Sequence, residues 1–300
     1  MAGSNQPWTE MPARLDVAVV GTGRVGSVLG AALKQVGHNV VACTAISDIS
    51  RLRAESLLPG VPIKALDEAV KDCDLILFAV PDDALTDLVR GLAATNVIGP
   101  GTFVVHTAGR FGDEIFDPLT QSGCLPMALH PVMTFTGTSV DLNRLVGCPF
   151  GVTAPQQLRA VAEALVVEMG GDPVWVPREA RALYHASLAF GSNYLMTIVN
   201  ETIDLLADAG IENPTDLVKP LMIASLDNAL RDGDQAMTGP VIRGDVETLR
   251  VHLDALSASG NELETQAYRV LARLTAQRGL DSGQLSPDTA QRLLELLGGQ

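Results

Sequence analysis

Basic residues are scarce in this chain. Its 300 residues carry 21 Lys+Arg against 35 Asp+Glu, a formal net charge of -14. That balance argues against nucleic acid and against anionic membrane surfaces as partners. No apolar run approaches the roughly 20 residues that a membrane span needs. Residues 1–14 (Met1-Ala-Gly-Ser-Asn-Gln-Pro-Trp8 and onward) lack the basic start and apolar core of a secretory signal, and a mobile tail is expected there. The four cysteines, Cys43, Cys73, Cys124 and Cys148, form no C-x-x-C pair and read as buried reduced thiols, which points to a cytoplasmic protein. G-x-S-x-G, H-E-x-x-H and a P-loop are all missing. The five histidines (His38, His106, His130, His185 and His252) show no metal-ligand spacing, so no metal site is expected. Asn200-Glu-Thr202 matches a glycosylation sequon, but it lies within a helical pattern and reads as chance. No internal repeat or low-complexity segment occurs.

What the chain does have is a glycine turn. Asp16-Val-Ala-Val-Val20 reads as a short buried strand, and Gly21-Thr22-Gly23-Arg24-Val25-Gly26 follows at once. The apolar stripe of a helix comes next: Val25, Val28, Leu29, Leu33 and Val36. In G-x-G-x-x-G the first glycine allows the tight turn, the second lets backbone approach a pyrophosphate, and the third lets the helix pack close to the strand. The helix N-terminus then offers free N–H groups to the phosphates. The plainer alternative is an ordinary glycine-rich strand–helix turn.

Strands and helices alternate through the first half. Strands are expected at Asn39–Thr44, Pro62–Lys64, Asp74–Val80 and Thr102–His106, and further ones at Leu125–Leu129, Pro149–Thr153 and Pro173–Val176. Helices are expected at Ser47–Leu57, Leu66–Lys71, Ala84–Ala94 and Gln156–Met169. Short strands with helical crossovers imply a parallel sheet covered on both faces, with ligand at the carboxyl ends of the strands. From Pro177 strands stop, and helices follow at Arg178–Ala209, Pro214–Arg231, Asp245–Ser257, Asn261–Arg278 and Pro287–Leu297. The fold class is therefore α/β followed by all-α. A tail at 1–14, a dinucleotide-binding domain at 15–176 and a helical substrate and dimerisation domain at 177–300 are expected. The long helix is apolar around most of its surface (Leu183, Leu188, Phe190, Leu195, Ile198), so burial is expected, within the chain or against another subunit.

The strand ends carry the candidate residues. An NAD-preferring turn places an acid about 20 residues past the glycines to hold the ribose 2′-OH. Here Thr44, Ser47 and Arg51 stand near that point, with no acid before Asp48, which points to NADP. The alternative is that Arg51 and Arg53 are solvated helix residues. Val80 and Pro81 end one strand, and His106 and Thr107 end the next. His130-Pro-Val-Met-Thr-Phe135 is a further strand-end turn. In the helical half, His185, Ser192 and Asn193 interrupt an apolar pattern. His185 and Ser192, seven apart, share one face. Thr238-Gly-Pro-Val-Ile-Arg243-Gly-Asp245 is a rigid loop in which Asp245 caps the next helix and Arg243 has no evident structural task. A buried His and Asn satisfied locally, and an exposed arginine on a capping loop, are the plainer readings of these two stretches.

The glycine turn, the strand end Phe78-Ala-Val-Pro-Asp82 and the long following helix resemble the 6-phosphogluconate-dehydrogenase-like superfamily. That group includes 2-dehydropantoate 2-reductases, pyrroline-5-carboxylate reductases and 3-hydroxyacid dehydrogenases. More narrowly, His130-Pro-Val-Met-Thr-Phe135, Tyr184-His-Ala, Ser192-Asn193-Tyr194 and Thr238-Gly-Pro…Arg243-Gly-Asp245 resemble Rossmann-like proteins with a C-terminal helical domain of unknown function. The resemblance implies an NADP-linked oxidoreductase and a homodimer built through the helical domains. Ketopantoate reductases and 3-hydroxyacid dehydrogenases carry a catalytic lysine early in the long helix; here it opens Arg178-Glu-Ala-Arg-Ala-Leu-Tyr-His185, without lysine. His185 is then the expected proton donor, with Asn193 and Ser192 polarising the substrate oxygen. Arg243 and Thr238 are expected to hold a carboxylate, and His130 and His106 to line the pocket. Reduction of a small 2-keto acid, 2-dehydropantoate to pantoate first among them, is the leading expectation. Imine reduction of the pyrroline-5-carboxylate type and a non-catalytic NADP-binding sensor or scaffold are the alternatives.

Overall fold

The computed structural model describes residues 14–260 and 262–298; of the expected tail, all but Arg14 lies outside them. β1 (Asp16–Val20) is followed by α1 (Arg24–Gln35), β2 (Asn39–Thr44), α2 (Asp48–Leu57) and the single turn α3 (Leu66–Ala69). Next come β3 (Leu75–Phe78), α4 (Asp82–Thr95), β4 (Phe103–His106), the turn α5 (Asp117–Thr120) and β5 (Leu125–Pro131). α6 (Val140–Arg144), β6 (Pro149–Thr153), α7 (Arg159–Glu168) and β7 (Asp172–Trp175) complete the sheet region. The strands form one seven-stranded sheet in the order β2-β1-β3-β4-β5-β6-β7.

The alternation of side chains explains why the strands read as continuous apolar runs. Val17 and Val19 of β1 enter one core layer with Leu75 and Leu77 of β3. Ala18 and Val20 enter the layer on the other face with Ile76 and Phe78. A strand buried on both faces leaves no room for alternating polar residues. Burying each such Val, Leu, Ile or Phe stabilises by about 1.5–3 kcal/mol relative to exposure.

Two features of the sheet depart from the expectation. The pairing is not parallel throughout: β5 and β6 run antiparallel, with Ala128 opposite Thr153 and Pro131 opposite Phe150. The link between them holds only the five-residue α6, too short to recross the sheet, so the chain turns back at the same end. Pro62–Lys64 does not form a full strand. Ile63 makes a single parallel bridge to Cys43, with Cys43 N–H donating to Pro62 and Lys64 N–H to Cys43. Proline has no N–H to extend a ladder and sits at the sheet edge.

The chain divides into two compact units, one ending at Ser192 and the other beginning at Asn193. α8 (Arg181–Asp208) contributes to both, and α9 (Pro214–Asp232), α10 (Val246–Ala258), α11 (Glu262–Asp281) and α12 (Pro287–Leu297) follow. The second unit has its own core, built from Leu249 and Leu253 of α10, Ala272 and Ala276 of α11, and Ala290, Leu293 and Leu297 of α12. Asp245 caps α10 by accepting from Thr248 N–H at 3.0 Å, as its position before the helix foretold. The expected burial of α8 is not met within one chain. Arg181 is its only buried residue, while Leu183 is 73% and Phe190 60% exposed. An apolar helix is ordinarily covered by a neighbour, and within one chain these side chains remain largely exposed.

Helix α1 lies unusually close to the turn that precedes it. A Cβ at Gly26 would fall inside contact distance of the Gly21 carbonyl oxygen and 2.8 Å from the Ala79 methyl. Both neighbours are fixed, one by backbone and one by a buried strand end. Gly26→Ala is therefore expected to destabilise the fold by about 1–3 kcal/mol, the usual cost of overpacking. Denaturant unfolding followed by circular dichroism checks this; an unchanged midpoint would refute the close-packing account.

Candidate functional site

The turn from β1 into α1 is built around an unfilled notch. Gly21 has φ +94, a backbone conformation that glycine alone adopts without strain, and a Cβ there would meet the Ala79 carbonyl at 2.7 Å. Gly23, by contrast, would meet nothing within 4 Å if it carried a Cβ, and its φ is an ordinary -69. Neither sterics nor backbone conformation inside this chain requires glycine at 23. A ligand lying against the backbone at this point would. Gly23 is also the N-cap of α1, with no side chain satisfying the helix N-terminus. Free N–H groups and the positive end of the helix dipole are thus left for an anion. Ser27 turns its hydroxyl back onto the Gly23 carbonyl at 2.6 Å and braces the turn.

The notch opens into a groove of about 670 Å³ between the carboxyl ends of β1, β2 and β3. Gly21, Thr22, Gly23, Thr44, Ser47, Arg51, Val80 and Pro81 line it, as the sequence led one to expect, together with Ile46, Ser50 and Lys64. Arg24, Val25, Gly26 and Thr107 do not. Thr22 is fully buried, and its hydroxyl lies 3.0 Å from the carbonyls of both Thr44 and Ser50. Thr44 Oγ1 accepts from Gly21 N–H at 2.9 Å. These two threonines tie the glycine turn to β2 and α2 and shape the wall. Ser47 caps α2 in a reciprocal box with Ser50. The cations at this end are Arg51 and Lys64, both exposed, and the lining holds no carboxylate. In a chain with an acid excess, that is a local reversal of charge. Lys64 escaped the reading of the sequence because its segment looked like an ordinary strand; the bridge from Ile63 to Cys43 is what brings it to the groove wall.

A second polar constellation gathers at the carboxyl ends of β4 and β5. His130 Nδ1 lies 2.8 Å from the Tyr184 hydroxyl. The His130 and His185 rings meet edge to face, 5.8 Å between centroids. Two glycines make room: a Cβ at Gly109 would strike the His185 ring, and one at Gly151 would strike the Tyr184 hydroxyl. Beneath them Arg181 is buried, 1% exposed, donating to Thr153 Oγ1 at 2.7 Å and to the carbonyls of Gly151 and Ala128 at 3.0 and 3.2 Å. Its Nη1 is buried without a hydrogen-bond partner among the described residues. Burial lowers the Arg181 pKa to about 10. Burial, with the charges of His185 and Arg181, also lowers His130 to about 4.

His106 is brought near this cluster but has a different task. It is fully buried, its Nε2 lies 2.8 Å from the Gly112 carbonyl, and its Nδ1 accepts from Ala108 N–H at 3.2 Å. Both nitrogens are engaged by main chain, so the ring braces the loop after β4 and lines no pocket. Burial lowers its pKa to about 3. Ser192 closes the first unit on α8. Asn193, Thr238 and Arg243 belong to the second unit, all three exposed. The Arg243 guanidinium makes no hydrogen bond or ion pair among the described residues. No group of His, Cys, Asp and Glu among the described residues could hold a metal ion. No helix among them is long and apolar enough to cross a membrane.

Comparison with known proteins finds two successive family matches, the second of which begins within the first compact unit. Residues 1–131 match the Rossmann-like domain family, and residues 148–275 match a domain of unknown function, DUF2520. The chain thus carries a Rossmann-like domain followed by a DUF2520 domain. A curated relative, the glycerol-3-phosphate dehydrogenase [NAD(P)+] of Bradyrhizobium sp. (strain ORS 278), is 29% identical over 171 residues, 51% of this chain and 50% of the relative. The match therefore spans about half of that relative's length. Among solved structures, a provisionally assigned NADP oxidoreductase from Bacteroides fragilis has a TM-score of 0.72 at 21% identity, covering 87% of this chain and 98% of its own. An imine reductase from Pseudomonas sp. has a TM-score of 0.65 at 20% identity, covering 95% and 100%. These structures share the fold.

The two depressed histidines set a pH dependence of stability. Below pH 6.5 the unfolded chain protonates both, while the folded chain holds His130 neutral to about 4 and His106 to about 3. The unfolded state then binds more protons, so stability falls as pH drops through that window. Each histidine contributes a slope of about 1.4 kcal/mol per pH unit. Urea unfolding between pH 7 and pH 4.5 is expected to show this loss, and His106→Gln to reduce the slope by one histidine's share. An unaltered slope in that variant would contradict the assignment.

Proposed function

We propose that this chain is an NADPH-linked oxidoreductase that reduces a small carbonyl or imine compound. The observation that carries the reading is the groove itself: a notch at Gly23 that nothing among the described residues fills, opening onto a wall with Arg51 and Lys64 and no carboxylate. A dinucleotide pyrophosphate matches the notch and the free N-terminus of α1. A ribose 2′-phosphate matches the two cations, whereas a free 2′-OH has no acid to hold it. The names of the curated relative and of the Bacteroides structure, which refer to NAD(P) and NADP, agree with this class.

When bound, a dihydronicotinamide supplies a hydride. The chain's own residues have to orient the acceptor and deliver a proton to its oxygen or nitrogen. His130 and His185 stand at the strand ends where an α/β sheet places its ligand, and His185 is the proton donor in this reading. Within the second unit, exposure and the lack of an ion pair among the described residues suit Arg243 to a carboxylate, with Thr238 of the same loop as a further polar contact. A 2-keto acid, with 2-dehydropantoate as the first candidate, follows from that carboxylate assignment. The imine reading is favoured by the likeness to the Pseudomonas imine reductase over nearly the whole chain.

Calorimetric titration with NADPH and NADH, followed by a screen of keto acids and cyclic imines read by loss of reduced-cofactor absorbance, tests the proposal. NADPH is expected to bind at least tenfold more tightly than NADH, a difference of about 1.4 kcal/mol. Arg51→Ala with Lys64→Ala should abolish that preference. Gly23→Ala should weaken both nucleotides while leaving stability within about 0.5 kcal/mol of the parent. A preference for NADH, or no nucleotide binding at all, would overturn the reading.

A homodimer belongs to the same proposal. Met196 and Ile198 on α8 and Leu217, Leu221 and Ile223 on α9 are between 41% and 66% exposed in the single chain, and apolar surface of this kind is ordinarily covered. A second copy is the occupant proposed, because the family resemblance implies pairing through the helical half and these apolar side chains are left exposed in the single chain. Size-exclusion chromatography with light scattering is expected to give twice the 31.6 kDa chain mass. Leu221→Glu with Ile223→Glu should give monomers. A parent chain that elutes as a monomer would refute it.

A further inference from the structure

His130 and His185 are adjacent, yet they stand in different surroundings. His185 is half-buried on α8 against Gly109. His130 is held from several sides: by the Tyr184 hydroxyl at Nδ1, by the His185 ring edge to face, and by the buried Arg181 charge beneath. His106 is the remaining titratable neighbour, and burial holds it neutral. Two histidines whose environments drive them apart are suited to two roles rather than one.

We propose that His130 serves as a neutral hydrogen-bond donor to the substrate's carbonyl oxygen or imine nitrogen, and that Tyr184 is the positioning residue that fixes its Nε2–H tautomer. The inference rests on the reductase reading above and assigns parts within the same cluster. The geometry carries it. The Tyr184 hydroxyl is packed against Gly151, where a Cβ would strike it, and its hydrogen-bond partner among the described residues is His130 Nδ1 at 2.8 Å. The phenol proton therefore has His130 Nδ1 as its acceptor. Nδ1 is then unprotonated, and the single ring proton of neutral His130 sits on Nε2. Among the described residues Nε2 has no hydrogen-bond partner, and it is not among the buried unpartnered atoms, so it is reachable from outside.

The socket is built for this contact. Gly151 pairs with His130 across the antiparallel β5–β6 ladder, and the side chain it lacks would occupy the position of the Tyr184 hydroxyl. Arg181, three residues before Tyr184 and bonded to the same Gly151 carbonyl region, anchors the start of α8 so that the phenol cannot swing away. It also opposes protonation of His130 by its charge, so the ring stays neutral and donates a hydrogen bond without surrendering its proton. A bound dihydronicotinamide would supply the hydride and leave oxidised by two electrons; the double bond's electron pair would pass to oxygen or nitrogen, where His185 would deliver the proton.

Nitrogen-15 NMR of the full chain labelled at histidine tests this without any turnover. At pH 7 His130 is expected to show a pyrrole-type Nε2 and a pyridine-type Nδ1, unchanged down to about pH 5. Tyr184→Phe is expected to give a mixture of tautomers, with His130 titrating at a higher pH. An Nδ1–H tautomer in the parent, or a parent His130 that titrates near 6.5, overturns the inference. In the kinetic arm, His130→Ala should lower kcat about 100-fold with NADPH affinity unchanged. His130→Asn, which keeps an N–H donor, should recover at least tenfold of that loss. Equal kcat for His130→Ala and the parent also overturns it. A parent chain that binds NADPH but oxidises it with no carbonyl or imine overturns the reductase reading, and the donor role with it, whatever the tautomer.

Discussion

A backbone carbonyl, that of Gly21, occupies the place where any side chain at residue 26 would have to go. That one close approach sets the distance between β1 and α1. It also sets the direction in which the N-terminus of α1 points and the depth of the groove beside it. The wall is completed by long-range ties rather than by local structure: Gly21 N–H to the Thr44 hydroxyl, and the Thr22 hydroxyl to the Thr44 and Ser50 carbonyls. The groove is thus held from three elements at once. Thr44, read from sequence as a phosphate contact, is also the post to which the glycine turn is fastened. Its hydroxyl accepts from Gly21 and retains a proton that it can donate.

Charge is distributed with the same economy. The chain carries a formal net charge of -14, yet the groove wall holds two cations and no acid. Elsewhere acids are tied down. Asp113 takes a bidentate fork from Arg178 at 2.7 and 3.0 Å, and Asp141 accepts from Thr136 and Gly137 N–H at 2.7 and 2.8 Å. A negative protein that binds a multiply charged anion has to clear its own carboxylates from the binding wall, because like charges at close range disfavour association. The absence of acid between β2 and α2 and the appearance of Lys64 at the sheet edge both follow from that requirement.

Much of the first unit was legible because buried parallel strands leave a continuous apolar signature. Asn39–Thr44 and Pro149–Thr153 have the same limits in sequence and structure, as does the helix Pro287–Leu297. The glycine turn was legible because its glycines answer local demands: Gly21 and Gly26 are required by close backbone and side-chain neighbours, and Gly23 leaves its notch open. The reversal between β5 and β6 was not, since antiparallel and parallel neighbours share one hydrophobic pattern and differ only in how the link returns. Lys64 was missed because its position depends on a bridge to a strand 20 residues earlier. Arg181 was missed for a deeper reason. An arginine in the first turn of a helix reads as a solvated charge, and nothing local signals that Thr153 and two strand carbonyls will receive it.

That buried arginine links the fold to the histidine cluster. A guanidinium with no carboxylate within hydrogen-bonding distance is costly, and truncating a partnered buried charge typically costs about 3–5 kcal/mol. Here three acceptors from β5 and β6 offset the desolvation, and the pKa of about 10 still leaves the group charged near neutrality. The arrangement lets one residue do two things. It pins the start of α8 to the strand ends, where Gly151 receives Tyr184 and Gly109 receives His185. It also places a fixed positive charge beneath His130, which opposes protonation of that ring. A lysine at this place could not reach two strands and a threonine with a rigid planar fork. Where the resemblance leads one to expect a lysine early in the long helix, this helix has Arg181 in its first turn, buried beneath two imidazoles at the strand ends.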